Sequence, residues 1–271
     1  MANIEHFLDI DERKFDEDEF ILLKQINCGD SGLISLNYHF DSEQLFAIKK
    51  QKTNDSQFIK REIGNCKHLH HPLFPRFYGT IESNEKISII YEFIKGSTLA
   101  DIKGLNLKFN HRVQIISELL HCFDYLHKYK FIYRDLKQNN VIIDENNQVV
   151  LIDFEQMIIE TREDIEYTNK WNSEFVSPEL SEYGMIQTSK ADIYSIGKMI
   201  YYILLEKVPP NEAEKSHNEI NSNIFSEMFS IYNQCNQKDP DKRPNITELI
   251  QKFNHYAFYF FYKIQISTSK N

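Results

Sequence analysis

The spacing of the apolar residues changes near Gly96, and this change constrains the fold more than any other feature of the sequence. Before Gly96, apolar and polar residues alternate in short segments, which predicts β-strands with one helix among them. After it, apolar residues recur at helical spacing, as they do between Phe109 and Lys130. We therefore predict an α+β fold, with a small β-rich N-terminal part and a larger, mainly α-helical C-terminal part.

The predicted elements follow one another without an internal repeat or a low-complexity linker. Strands are predicted at 21–26, 33–38, 45–49, 77–81, 87–93, 141–143 and 149–152. Helices are predicted from Asp55 to about Leu69, and at 109–130, 192–205, 224–235 and 245–253. This order suggests a nucleotide held between two lobes, but the architecture by itself does not define a function.

The balance of charge disfavours nucleic acid as a partner. The 271 residues include 40 acidic and 31 basic side chains, which gives a formal net charge of -9. Such a chain would repel the phosphate backbone of DNA or RNA. A single nucleotide remains compatible, because a few local cations and backbone N–H groups are enough to hold it.

The cysteines indicate a reducing compartment. None of the four lies in a CxxC pair, and their spacings are wide: Cys28, Cys66, Cys122 and Cys235. A disulfide framework and a zinc site are therefore not expected, and a cytoplasmic location is predicted. The N-terminal twenty residues are acidic and lack the apolar core of a signal peptide.

The chain contains no run of about 18 apolar residues, so no transmembrane segment is expected. The segment most similar to such an apolar run is the aromatic run from Tyr256 to Tyr262. This run either packs on the rest of the fold or docks a partner or a membrane.

A glycine-containing segment, Asn27-Cys28-Gly29-Asp30-Ser31-Gly32, joins two predicted strands. Glycine lets the backbone approach phosphate groups closely, but such a segment alone is more often an ordinary hairpin. A dinucleotide-binding fold is disfavoured, because a strand follows the segment where that fold needs a helix. Lys49 then lies on the next predicted strand and Glu62 in the helix that follows.

The most specific signal is the segment Tyr133-Arg134-Asp135-Leu136-Lys137-Gln138-Asn139-Asn140. Thirteen positions after Asn140 comes Asp153-Phe154-Glu155. A carboxylate and an amide oxygen beside phosphate groups are the ligands that Mg²⁺ prefers. Both segments at this spacing are very improbable by chance.

These segments resemble the catalytic domain of eukaryotic-type serine/threonine protein kinases over about residues 20 to 254. Ser177-Pro178-Glu179, Asp192 and Arg243 resemble structural marks of that family, and small-molecule phosphotransferases usually lack them. The resemblance implies a bilobal kinase fold with an N-lobe at 20–92, a hinge at 93–97 and a C-lobe at 98–254. An acidic extension at 1–19 would precede it, and an aromatic-rich tail at 255–271 would follow.

The resemblance also implies a reaction, the Mg²⁺-dependent transfer of the γ-phosphoryl group of ATP to serine or threonine hydroxyls of a protein substrate. Asp135 would be the catalytic base, and Lys137 would neutralise the transferred group. Lys49 would grip the α- and β-phosphates, with Glu62 holding it by an ion pair. The implied metal ligands are Asn140 and Asp153, the implied gatekeeper is Tyr91, and the implied ATP contacts are Ile26, Asn27, Gly29, Gly32, Ile34, Ala47, Lys49, Glu92, Ile94 and Ile142.

Some positions depart from the family pattern. Asn27 replaces a glycine. We expect this replacement to leave the loop intact, because asparagine tolerates the left-handed conformation. Glu155 replaces the glycine after Asp153-Phe154, which would bias that segment toward one arrangement and add a carboxylate near the metal. Asn172 replaces a threonine, and Thr168 is the implied phosphorylation position, although acidic neighbours could supply that charge constitutively. Two alternatives stay open, a pseudokinase that acts as a nucleotide-binding scaffold and a small-molecule phosphotransferase of the aminoglycoside or choline type.

Overall fold

The computed structural model describes residues 13–29, 32–51, 56–83, 86–160, 173–180, 188–208 and 223–268. These residues divide into two compact units. The first contains the described residues up to Gly96 together with Val150–Met157, and the second contains those from Ser97 to Val149 and from Ile158 onward. The first unit is β-rich with one helix and the second is mainly helical, which confirms the predicted α+β class.

A six-stranded sheet forms most of the first unit. Its strands are β1 (Arg13–Phe15), β2 (Phe20–Gly29), β3 (Gly32–His39), β4 (Gln44–Lys50), β5 (Phe77–Ser83) and β6 (Lys86–Glu92), in the order β1-β5-β6-β4-β3-β2. All neighbours are antiparallel except β1 and β5. The single helix of this unit, α1 (Ser56–Cys66), follows β4. Its predicted start at Asp55 lies outside the described residues, and it ends before the predicted Leu69.

The register of β4 sets which residues share a face of the sheet. Lys49 lies opposite Ile34 of β3 and Ile89 of β6, and Ala47 lies opposite Leu36 and Tyr91. Because side chains of directly opposed residues project from the same face, Lys49, Ala47 and Tyr91 share one face. The other face carries a core cluster of Phe15, Phe46, Ile48, Ile81 and Ile90.

Residues 13–19 pack in the first unit, although they precede the boundary predicted at residue 20. β1 pairs in parallel with β5, and the side chain of Phe15 is buried in the core cluster. Glu19 accepts a hydrogen bond from Arg13 at 2.8 Å and contacts Nε2 of His39 at 3.0 Å. A three-residue strand with two cations carries no alternation signal, so sequence reasoning did not find it.

Gly79 makes the parallel pairing of β1 with β5 possible. Its φ is 149°, in a region that residues with a Cβ rarely adopt. A Cβ at this position would overlap the carbonyl oxygen of Arg13. The glycine therefore lets the two strands approach.

We expect Gly79→Ala to destabilise the protein by more than about 1 kcal/mol, because it adds backbone strain and displaces β1. Gly64→Ala is the matched control, since Gly64 lies within α1 and a Cβ added there would have no neighbouring atom within 4 Å. That change should stabilise the protein by roughly 0.5–1 kcal/mol. Urea unfolding of both variants measures the difference, and an unchanged midpoint for Gly79→Ala would contradict the role given to this glycine.

The second unit is built around helices. They are α2 (Phe109–Lys128), α3 (Lys190–Leu205), α4 (Asn223–Cys235) and α5 (Ile246–Thr268). The short strands that follow β6 along the chain are β7 (Gly96–Thr98), β8 (Phe131–Ile132), β9 (Val141–Asp144), β10 (Val149–Leu151) and β11 (Ile158–Ile159), of which β8 and β11 pair antiparallel. Nearly all of α3 is buried, including the polar side chains of Asp192, Ser195 and Lys198.

The prediction that the last helix ends near Phe253 is wrong, because α5 continues to Thr268. No glycine or proline interrupts residues 246–268, and aromatic residues lower helix propensity only slightly. The run from Tyr256 to Tyr262 therefore lies within a helix, and its docking role stays a prediction. Among the described residues, no helix is both long enough and apolar enough to cross a membrane.

Candidate active site

β4 and α1 bring Lys49 and Glu62 together in the first unit. Nζ of Lys49 donates to both carboxylate oxygens of Glu62, at 2.8 and 2.9 Å. Both side chains are buried, with 5% and 0% of their surface exposed. Removing two charges from water is costly unless they pair closely, so the short bidentate contact is what makes this burial possible.

Two further carboxylates lie near the same ammonium group. Nζ of Lys49 donates to Oδ1 of Asp153 at 2.9 Å and lies 3.6 Å from Oε2 of Glu155. Burial alone would lower the pKa of Lys49, but the charges of Asp153 and Glu62 outweigh it and raise that pKa above its usual value. Burial raises the pKa of Glu62, and the charge of Lys49 opposes this rise. Lys49 therefore stays charged throughout the physiological range.

Glu62 accepts hydrogen bonds from two neutral side chains as well. The hydroxyl of Tyr91 donates to Oε1 at 2.8 Å, and Nε2 of Gln51 donates to Oε2 at 2.8 Å. Sequence reasoning missed this contribution of Gln51, although its position two residues after Lys49 places it on the same side of an extended strand. The contact of Tyr91 depends on the register of β4 and β6, which the sequence pattern alone does not define.

The segment that carries Asp153 is anchored to α1. Nδ2 of Asn65 donates to the carbonyl oxygens of Phe154 at 3.0 Å and Met157 at 2.8 Å. The ring of Phe154 is buried against Phe74, with centroids 5.9 Å apart. Asp153 itself has a φ of 67°, the left-handed conformation that aspartate tolerates better than most residues.

Glu155 turns inward, as its hypothesised role near the metal requires. The residue is 5% exposed, and its Oε2 has no hydrogen-bond partner among the described residues. Carboxylate oxygens of Glu62, Asp153 and Glu155 lie within 4.8 Å of one another. Because the ammonium group of Lys49 lies among them, this cluster is a cation-binding arrangement whose cation is a side chain.

In the second unit, the loop before β9 brings Asp135, Lys137 and Asn140 together. Oδ2 of Asp135 accepts from Nζ of Lys137 at 2.7 Å and from Nδ2 of Asn140 at 2.9 Å. Nδ2 of Asn140 also donates to the backbone oxygen of Asp135 at 2.9 Å. These contacts fix the orientation of the Asn140 amide and direct its oxygen away from Asp135.

Asp192, at the start of α3, holds the backbone of this loop. Its carboxylate accepts from the N–H groups of Tyr133 at 2.9 Å and Arg134 at 2.8 Å, and contacts Nε2 of His127 at 2.9 Å. Arg134 has a φ of 69°, which costs a non-glycine residue about 1–2 kcal/mol. The sequence marked Asp192 only as a helix start, and nothing in the pattern revealed this positioning contact.

A buried ion pair joins two distant turns of the second unit. Arg243 donates to the two oxygens of Glu179 at 2.5 and 2.9 Å, and the guanidinium carbon lies 5.0 Å from the ring centroid of Tyr194. The geometry is bidentate, the arrangement that arginine and carboxylates pair in most strongly. Both residues belong to the positions that resemble structural marks of the family in the sequence.

The expected ATP contacts of the first unit lie on or near the sheet. Ile26, Asn27 and Gly29 lie in β2, Gly32 and Ile34 in β3, and Ala47 in β4. Glu92 ends β6, where its N–H donates to the carbonyl oxygen of Arg76 at 2.8 Å, and Ile94 follows it half-buried. Ile142 belongs to the second unit, where it lies half-buried in β9.

The position of Asn27 does not require the left-handed conformation that asparagine tolerates. Asn27 pairs with Ile34 in the β2–β3 ladder, next to a register shift, and its φ is not positive. Gly32 is the position that needs glycine, because its φ is 146° and a Cβ would lie 2.5 Å from the carbonyl oxygen of Lys50. Asp30, Ser31, Thr168 and Asn172 lie outside the described residues.

The comparisons with known proteins agree with this arrangement. A model of the protein kinase domain family matches residues 20–255, and the chain belongs to that family. Over 78% of its length it is 29% identical to a probable serine/threonine-protein kinase of Dictyostelium discoideum, of which it covers 54%. Over 83% it is 26% identical to mitogen-activated protein kinase kinase kinase 2 of Arabidopsis thaliana, of which it covers 39%. The chain thus spans about half the length of these relatives or less.

We expect Asp192→Asn to destabilise the protein by about 2–3 kcal/mol, because the amide NH2 group would face one of the two backbone N–H groups that the carboxylate oxygens accept from. Asp124→Asn is the control, since Asp124 lies half-buried on α2 and should tolerate the change within about 0.5 kcal/mol. Chemical unfolding followed by circular dichroism measures both. Equal stability of the two variants would show that the loop does not depend on Asp192.

Proposed function

We propose that this chain is an active, Mg²⁺-dependent serine/threonine protein kinase. The observation that best supports activity is the buried pair of Lys49 and Glu62, at 2.8 Å. Apolar residues of similar volume would often stabilise a fold as well as a buried ion pair does. A chain that keeps both charges at this cost therefore uses them, and the use that fits the family is to grip the phosphates of ATP.

In the proposed reaction, the substrate hydroxyl oxygen attacks the γ-phosphorus, and the bond to the β,γ-bridging oxygen breaks to release ADP. Asp135 orients the hydroxyl and accepts its proton, a contribution of about 10²–10⁴-fold in rate. Lys137, 2.7 Å from Asp135 in this structure, neutralises negative charge on the transferred group. The two residues need no rearrangement relative to each other to take these roles.

The proposed nucleotide site uses the face of the sheet that carries Lys49. Ile26, Ile34, Ala47 and Ile142 flank the adenine, and the backbone from Glu92 to Ile94 meets its edge. The segment from Asn27 to Gly32 covers the phosphates, and glycine at positions 29 and 32 permits a close approach because it carries no Cβ.

The ligand types in the proposed metal site fit Mg²⁺, a hard cation that takes oxygen ligands. Asp153 in the first unit offers a carboxylate whose side chain is 20% exposed. Asn140 in the second unit offers an amide oxygen, since its nitrogen is committed to Asp135. When bound, Mg²⁺ supplies neutralisation of the phosphate charge.

The proposed kinase domain spans residues 20–254, with an N-lobe at 20–92, a hinge at 93–97 and a C-lobe at 98–254. Its protein substrate is unidentified, and the aromatic-rich segment at 255–271 is a candidate for partner docking. The relative named as a probable serine/threonine-protein kinase, together with Lys137 two residues after Asp135, supports serine or threonine as acceptors. A cytoplasmic location stays a prediction.

Mg²⁺-ATP turnover on a generic substrate such as myelin basic protein tests the proposal. We expect Asp135→Asn and Lys49→Met each to lower kcat by at least about 100-fold, since each removes a group that acts on the reacting phosphate. Asp124→Asn should leave the rate unchanged. Phosphoamino-acid analysis of the product distinguishes serine and threonine from tyrosine, and full activity of Asp135→Asn would overturn the mechanism.

A pseudokinase is the second candidate, and one contact favours it. Glu155 adds a carboxylate 3.6 Å from Nζ of Lys49, where the family has an uncharged glycine. Its negative charge repels the phosphates that Lys49 must grip. Nucleotide binding without turnover in the wild type would favour this candidate. The small-molecule phosphotransferase alternative loses its support, because the chain belongs to the protein kinase domain family.

We expect Glu155→Gln to bind metal-free ATP about three- to tenfold more tightly than the wild type, because the change removes one buried negative charge beside Lys49. Glu82→Gln is the control, since Glu82 lies exposed on β5 and pairs with Lys14. The dissociation constant can be measured by calorimetry. Weaker binding by Glu155→Gln would mean that Glu155 supports the nucleotide site rather than opposing it.

A further inference from the structure

We propose that Tyr91 is a positioning residue for phosphoryl transfer, because its hydroxyl holds Glu62 in the orientation that grips Lys49. The inference rests on the proposed function, in which the pair of Lys49 and Glu62 binds ATP. It concerns a tyrosine that touches neither the expected metal ligands nor the catalytic loop through any hydrogen bond among the described residues.

The hydrogen bonds of Tyr91 have a defined direction. A phenol carries one proton, and that of Tyr91 is donated to Oε1 of Glu62 at 2.8 Å. Sγ of Cys66 lies 3.3 Å from the same hydroxyl, so the thiol must be the donor in that contact. The result is a buried chain from the Cys66 thiol through the Tyr91 hydroxyl to the Glu62 carboxylate, and such chains strengthen each bond in them.

Tyr91 keeps this donor role over the whole physiological range of pH. Burial raises the pKa of its hydroxyl well above the usual value, and the neighbouring Cys66 and Glu62 act in the same direction. The phenol therefore remains protonated. A neutral donor adds no charge to the cluster around Lys49. The phenol of Tyr91 therefore orients Glu62 without changing the electrostatic attraction between Lys49 and the phosphates.

Competition for Lys49 is the reason why Glu62 needs such donors. The ammonium group has Asp153 at 2.9 Å and Glu155 at 3.6 Å as further partners, both in the first unit. Lys49 could therefore leave Glu62 and still be paired with a carboxylate. The hydrogen bonds from Tyr91 and Gln51 end on Glu62 alone, so they favour the arrangement in which Glu62 keeps Lys49.

One face of α1 gathers these contacts. Glu62, Asn65 and Cys66 lie at positions i, i+3 and i+4, which share a helix face. Asn65 bonds the backbone of the segment that carries Asp153, and Cys66 bonds Tyr91. These partners all belong to the first unit, so that unit assembles the ion pair with its own contacts.

The test is Tyr91→Phe, which keeps the ring and removes the hydroxyl. We expect kcat/KM for ATP to fall about tenfold, the loss that corresponds to one hydrogen bond to a charged group. Amide hydrogen exchange over residues 59–66 should become faster. Tyr78→Phe is the matched control, since Tyr78 lies half-buried on β5 and packs on Phe46, and neither quantity should change.

A double-mutant cycle with Glu62→Gln separates positioning from general stability. If Tyr91 acts through Glu62, Tyr91→Phe should lower kcat/KM by less than about threefold in the Glu62→Gln background. Gln51→Met supplies a second variant, because it removes the other neutral donor and should show the same coupling. Equal losses of about tenfold in both backgrounds would overturn the inference.

The two proposals fail in distinguishable ways. Absence of turnover by the wild-type protein would contradict the proposed function. Amide hydrogen exchange over residues 59–66 would still test the positioning of α1 in that case. Faster exchange in Tyr91→Phe, with none in Tyr78→Phe, would then support the role of Tyr91 on the Glu62 side chain. Unchanged exchange, or an unchanged kcat/KM in an active enzyme, would overturn it.

Discussion

The arrangement of the first unit depends on one buried ammonium group, that of Lys49. A charge removed from water must be paired and hydrogen-bonded, and three carboxylates from different parts of the chain meet this need. Glu62 brings α1 to the sheet, and Asp153 brings a segment far along the chain to the same place. The ion pairs therefore define the fold of this unit as much as its apolar core does. In the proposed function, the ammonium group of Lys49 binds nucleotide, and the first unit is assembled around the same group.

A buried acid has the corresponding role in the second unit. Asp192 is fully buried, and its carboxylate holds the N–H groups of two consecutive residues, one of them in the left-handed conformation. Such a conformation persists only where the surroundings determine it strongly. In each unit, then, a buried charge keeps chemical groups in a geometry that the backbone alone would not hold. Those groups are Lys49 and Asp153 in the first unit and the loop that begins at Tyr133 in the second.

The sequence predicts the periodic elements well because burial imposes their pattern. The strands from β2 to β6 and the helices α2 to α4 are long enough to carry that pattern, and each was found. β1 has three residues and no alternation, so its pairing depends on Gly79, which no periodicity reveals. Asp135, Lys137 and Asn140 lie close together in sequence, so the sequence alone predicts that they share one loop. The contact of Tyr91 with Glu62 joins residues 29 positions apart and requires the register of two strands, which sequence alone leaves undefined.

The positions that depart from the family pattern have little cost for folding. Asn27, for example, lies in a ladder where no positive φ is required. Glu155 differs, because its effect is electrostatic. Its charge helps to neutralise Lys49 in this structure, and in the proposed function it would oppose the phosphates of ATP. The contact that stabilises the unit without nucleotide would thus weaken its hold on nucleotide in the proposed function, so one carboxylate acts on folding and on binding with opposite sign.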